Sequence, residues 1–103
     1  MDRIVALQGM LKADPTNCFV RYGLAQEFVK VGEFERAIGE FQRILDENAD
    51  YQAAYYHAGK TLERLGRVDK ARALYVRGIQ ASYRTGDVHA RNELEAALEE
   101  ASA

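Results

Sequence analysis

The sequence predicts an all-α fold in which antiparallel helix hairpins stack in a row, with a flanking helix at each end. Three observations predict it. Two stretches repeat each other at an offset of 34 residues, so that Tyr22 recurs as Tyr56, Gly32 as Gly66, Ala37 as Ala71, Phe41 as Tyr75 and Arg43 as Arg77. A period of this size marks stacked supersecondary units. Val, Ile and Thr nowhere alternate with polar residues over the length of a strand, as a half-buried sheet requires. The only proline is Pro15, and the other breaks are short clusters of Gly, Asn and Asp. Loops that short force consecutive helices antiparallel.

A first helix is expected from about Asp2 to Ala13, with Ile4, Leu7, Met10 and Leu11 at helical spacing. Asp14-Pro15 ends it, because proline disfavours helical geometry in the residue before it. The second helix follows Thr16-Asn17, either of which can cap its free amides, and runs to about Val31, where Gly32 turns the chain. A third covers Phe34 to Glu47, with Ala37, Ile38, Phe41, Ile44 and Leu45 on one face. Asn48-Ala49-Asp50 breaks it from a fourth, Tyr51 to Leu65, and Gly66 leads into a fifth, Val68 to Arg84. Thr85-Gly86-Asp87 supplies a turn and a cap for the last helix, which runs to about Ala101 with Ala90, Leu94, Ala97 and Leu98 in register.

The 103 residues are sized for one domain. A balance of 48% hydrophobic and 29% charged residues excludes a disordered chain. A net charge of -2 excludes a general polyanion binder. No apolar run approaches the roughly 18 residues that span a bilayer, and Met1-Asp2-Arg3-Ile4-Val5 lacks the features of a secretory signal. The single cysteine, Cys18, rules out an intrachain disulfide and fits a reducing compartment. A cytoplasmic location with no membrane partner is the expectation.

Within each repeat, small and large residues fall at fixed places. The second copy reads Tyr55-x2-Ala58-Gly59-x2-Leu62, then Gly66, then Ala71-x3-Tyr75; the first reads Arg21-x2-Leu24-Ala25-x2-Phe28, then Gly32, then Ala37-x3-Phe41. The small residues Ala25, Gly59, Ala37 and Ala71 let paired helices approach closely, while Phe28, Phe41 and Tyr75 fill the space between hairpins. Gly32 and Gly66 suit the left-handed geometry of tight helix exits.

This pattern resembles the tetratricopeptide repeat, whose signature is Trp-x2-Leu-Gly-x2-Tyr, then Ala-x3-Phe, then Pro. Arg21 departs from the large apolar residue of that signature. Of the three positions for the terminal proline, only Pro15 keeps it, with Ala49 and Tyr83 at the others. The resemblance implies a right-handed superhelix divided into an N-terminal half-repeat (1–17), repeat 1 (18–51), repeat 2 (52–85) and a C-terminal capping helix (86–103). It also implies a protein–protein interaction module that lines its concave groove with the first helix of each hairpin.

The sequence singles out the same face. The helix from Cys18 to Val31 buries Leu24, Ala25 and Phe28 on one side and still carries Phe19, Tyr22 and Val29 elsewhere, more than a single stripe requires. At the repeat offset Tyr22 stands beside Tyr56 and Gln26 beside Lys60. Phe19, Tyr22, Gln26, Tyr56, His57 and Lys60 are therefore the candidate groove residues, with tyrosine supplying contact area and a polar tip. Two readings stand: an open groove for a peptide or protein partner, or a face covered by the last helix. Self-association into a homodimer is the alternative to a foreign ligand. The family's best-known ligand site clamps a C-terminal carboxylate with Lys, Asn and Arg. Here Tyr22, Gly23, Gln26, Ala53, His57 and Lys60 offer one charge and no asparagine, so the resemblance does not extend to that clamp.

No enzymatic constellation emerges. His57 and His89 lack the third or fourth ligand zinc needs, and Cys18 sits at a helix start as a passive thiol. The carboxylates fall on solvated faces rather than in the paired arrangement acid–base chemistry uses. Neither metal nor cofactor is expected. Lys60, Arg64, Arg67, Lys70, Arg72, Arg77 and Arg84 outnumber Glu63 and Asp69 between residues 60 and 84. That excess lies mainly on a second helix and is absent from the first copy, which argues for a solvated face partly paired with the last helix's glutamates and against nucleic acid.

Overall fold

Six helices account for almost all of residues 2–103, the part of the chain that the computed structural model describes. They are α1 (Arg3–Ala13), α2 (Cys18–Lys30), α3 (Phe34–Glu47), α4 (Gln52–Arg64), α5 (Val68–Thr85) and α6 (Val88–Ala101). Among the described residues there is no strand. Met1, the first residue of the expected N-terminal half-repeat, lies outside them.

The helix ends follow from local chemistry. Asp2, Asn17 and Asp87 each accept a hydrogen bond from a free amide at the start of α1, α2 and α6. Of the two caps open to α2, Asn17 is the one used, its Oδ1 receiving the Val20 amide at 3.0 Å. α2 and α4 exit through Gly32 and Gly66, whose φ of 80° and 76° lies in the left-handed region. The residue after each glycine then donates back into the helix, Glu33 to the Phe28 carbonyl and Arg67 to that of Leu62, both at 2.9 Å. This satisfies carbonyls the helix end would otherwise strand. Tyr51, expected inside the fourth helix, instead occupies its cap position.

Each helix packs on the next, and α4 also meets α6. α2, α4 and α6 form one layer and α1, α3 and α5 the other. The core lies between them: Leu24, Ala25, Phe28, Ala37, Phe41, Ile44, Ala54, Tyr55, Ala58, Ala71, Tyr75, Ala81 and Leu94 are buried. Gly59 marks a close approach inside a hairpin, since a Cβ there would overlap the Tyr75 ring. Gly78 plays the same part toward α6, where a Cβ would come within 2.8 Å of Tyr55 and 2.9 Å of Leu94. These contacts put small residues against large ones across the layers, as close packing demands.

The basic run meets the last helix's glutamates in part, as expected, and otherwise pairs with acids elsewhere. Arg67 reaches Glu35 at 2.5 Å, Arg84 reaches Asp50 at 2.9 Å and Arg72 reaches Asp69 at 2.8 Å. Among the described residues only Lys60 pairs with a glutamate of the last helix, Glu100 at 3.7 Å. Arg67 and Arg84 thus find their partners about one repeat earlier, on α3 and in the α3–α4 turn, while Arg72 pairs within its own helix.

Candidate functional site

Because the fold is two layers thick, each helix of the α2–α4–α6 layer buries one side and presents the other outward. On α2 that outer side carries Phe19, Tyr22 and Gln26; on α4 it carries Tyr56, His57 and Lys60. Five of these six side chains come together. The Tyr22 ring lies 5.7 Å from His57, and His57 lies 5.1 Å from Tyr56 in an edge-on arrangement. Gln26 Nε2 donates to the Tyr22 hydroxyl at 3.3 Å. The Lys60 ammonium sits 5.6 Å from the Tyr56 ring centre, within cation–π range. Tyr22, Gln26, Tyr56, His57 and Lys60 are all half-buried. Phe19 is 79% exposed and stands outside this ring cluster.

Two members were not singled out from the sequence. Tyr51 packs its ring 5.7 Å from Tyr22, joining α2 to the start of α4. It fills a cap position where Ser, Thr, Asp or Asn is the usual choice. Phe41, read only as core, meets Tyr22 at 6.1 Å and forms the floor. The last helix does not fold back over this face. It packs on α5 and α4 as the next member of the stack.

α6 adds charge instead. Lys60 lies between Glu63 at 3.9 Å and Glu100 at 3.7 Å, and Glu63 in turn accepts a hydrogen bond from the Tyr75 hydroxyl. Burial and the Glu63 carboxylate together raise the Tyr75 pKa far above the usual phenol range. Tyr22 is also pushed up, first by burial, then by Tyr51 and the Glu93 carboxylate. Burial pulls the His57 pKa below the ordinary value, opposed in part by Glu93. His57 is therefore an uncharged imidazole near neutral pH.

Other concavities lie between different helices. A cleft of about 320 Å³ between α3 and α5 is lined by Ile38, Gln42, Leu62, Lys70, Leu74 and Arg77 among others. A second, of about 270 Å³, lies where α1 and α3 meet near Pro15 and Arg21. Among the described residues, no three His, Cys, Asp or Glu side chains converge in a way that could hold a metal ion. No helix of the structure is long and apolar enough to cross a membrane.

Comparison with known proteins bears on this face. A family model described as tetratricopeptide repeat matches residues 22–82. The TPR repeat-containing protein PA0015 of Pseudomonas aeruginosa is 29% identical over 91 residues, covering 88% of this chain and 87% of that protein. A solution structure of a tetratricopeptide repeat domain protein from Salinibacter ruber aligns with a TM-score of 0.80 at 38% identity, over 84% of this chain and 88% of that one. The TPR2B domain of yeast Sti1, solved in complex with pHsp70, aligns with a TM-score of 0.89 at 15% identity, over 96% of this chain and 79% of that one. That last likeness is one of fold.

Proposed function

The chain belongs to the tetratricopeptide repeat family, and from that premise we propose that it is a protein–protein interaction module. Its partner segment lies across the outer face of α2, α4 and α6. One observation carries the reading. Tyr22, Tyr51, Tyr56 and His57 form a continuous aromatic surface that is only half-buried, while the core between the layers closes on other residues. Aromatic rings that are pre-packed and partly wet give contact area at little entropy cost on binding. The gathered groups supply surface and hydrogen bonds rather than a nucleophile with its base, so the module binds without chemistry. The family's carboxylate clamp is not the mode of recognition, since Lys60 is already held by Glu63 and Glu100. A reducing, cytoplasmic setting suits the free thiol of Cys18.

A second reading, self-association, is favoured by Phe19, a large apolar side chain left 79% exposed beside the face. One experiment separates the two. The photo-reactive residue benzoylphenylalanine is placed at position 19 and, as a control, at position 39 on the exposed side of α3. Irradiation in the native cell should give an adduct with a foreign protein from position 19 and none from position 39. An adduct of two copies of this chain supports self-association instead. Equal labelling from both positions, or no adduct from position 19, rejects the proposed face.

A further inference from the structure

Charge on this face is not balanced. Glu93 and Glu100 stand seven residues apart on α6, so they share one side of the helix. Glu100 meets Lys60 at 3.7 Å, which turns that side toward the outer face of α4. Glu93 lies two helical turns nearer the start of α6 on that same side, and its carboxylate raises the pKa of both Tyr22 and His57. Neighbouring cations are already engaged: Lys60 by Glu63 and Glu100, Lys30 by Glu27, Arg84 by Asp50. Arg64 stacks on Phe34 at 4.5 Å. Glu93 makes no ion pair among the described residues. Lys60, Glu63, Glu93 and Glu100 together leave the face negative.

An aromatic surface with one uncompensated carboxylate at its edge is complementary to a cation. Ring faces attract ammonium and guanidinium groups, and a carboxylate beside them fixes the charge. Resting on the groove reading above, we infer that the segment bound here is a basic peptide that seats an arginine or lysine among Tyr22, Tyr51 and Tyr56, with Glu93 as its counter-ion. Apolar neighbours of that residue contact the remaining ring surface and Phe19. An acidic tail fits poorly, because it would bring a second negative charge to Glu93 with no free cation to receive it.

The test uses random-sequence peptides displayed on phage, selected on the intact chain and on its Glu93→Lys variant. Both are first checked for unchanged melting, which an exposed helix position permits. Peptides selected on the native chain should be enriched in Arg or Lys. Glu93→Gln should weaken the best of them about fivefold at low salt and less at high salt. Selection on Glu93→Lys should shift toward Asp and Glu. Acidic or uncharged sequences, or basic ones indifferent to Glu93→Gln, overturn the inference. Such peptides leave the groove reading intact if Tyr56→Ala abolishes their binding. Peptides that bind Tyr56→Ala as well as the native chain, or a selection that yields none, overturn both.

Discussion

Arg21 and Tyr55 stand one period apart and do the same work with different chemistry. Tyr55 donates its hydroxyl to the Ala49 carbonyl at 2.6 Å, and Arg21 donates to the Pro15 carbonyl at 2.7 Å. Pro15 and Ala49 are themselves one period apart. Arg21, only 6% exposed, also needs a counter-charge, and Glu40 supplies it at 2.6 Å; the equivalent place in the next repeat holds Leu74. The departure from the family signature is thus a paired exchange. Arg21→Ala should cost about 2–3 kcal/mol by leaving Glu40 and a carbonyl without a partner. The double change Arg21→Tyr with Glu40→Leu should recover most of that loss in a denaturant titration. Glycine gives a second residue-scale prediction. Gly59→Ala forces a methyl into the Tyr75 ring and should cost about 1–3 kcal/mol. Gly39→Ala, with nothing within 4 Å on α3, should gain about 0.5–1 kcal/mol. His57 gives a third. Its pKa is lowered in the folded chain from 6.5, so the unfolded chain takes up the proton first. Its contribution is present above about pH 6.5 and is lost as pH falls through the lowered value. Glu93→Gln removes an opposing influence, so NMR titration should find the His57 pKa lower still.

At the scale of elements, the helices were legible because period and punctuation agree. Gly32, Gly66 and Gly86 all take left-handed φ, and α3 spans the expected Phe34–Glu47. α5 runs one residue past the expected end, to Thr85, where Gly86 in left-handed geometry terminates it. The candidate site was legible only in part. Tyr22, Gln26, Tyr56, His57 and Lys60 meet because the repeat sets α2 beside α4, with Tyr22 against His57 as the contact between them. Tyr51 and Glu93 were not legible, because their place depends on a cap and on how α6 rotates against α4, and neither has a repeat partner to mark it. Phe19 was placed by spacing alone, which does not say how far past its neighbours a residue at the start of a helix projects. α6 closes the stack by burying Leu94 against Gly78. Leu94→Ala should therefore cost about 2–4 kcal/mol, read as a loss of cooperative stability in the whole chain rather than fraying of one helix.

The molecule measures 41 × 29 × 19 Å, and the shortest dimension is two helices of about 10 Å each. A slab that thin has one interior, so residues on its outer faces are not needed to close a core. Two hairpins are fewer than the roughly three repeats such stacks usually need, and α1 and α6 supply the missing neighbours. The central claim is that the aromatic surface on α2 and α4 is surplus to folding. Thermal melting of Tyr56→Ala beside Ala71→Leu tests it most directly. Ala71 is fully buried, so added methylenes there should lower the melting temperature by roughly 5–15 °C. Tyr56→Ala should lower it by less than about 5 °C. Equal losses in the two variants would make Tyr56 part of the core and contradict the account.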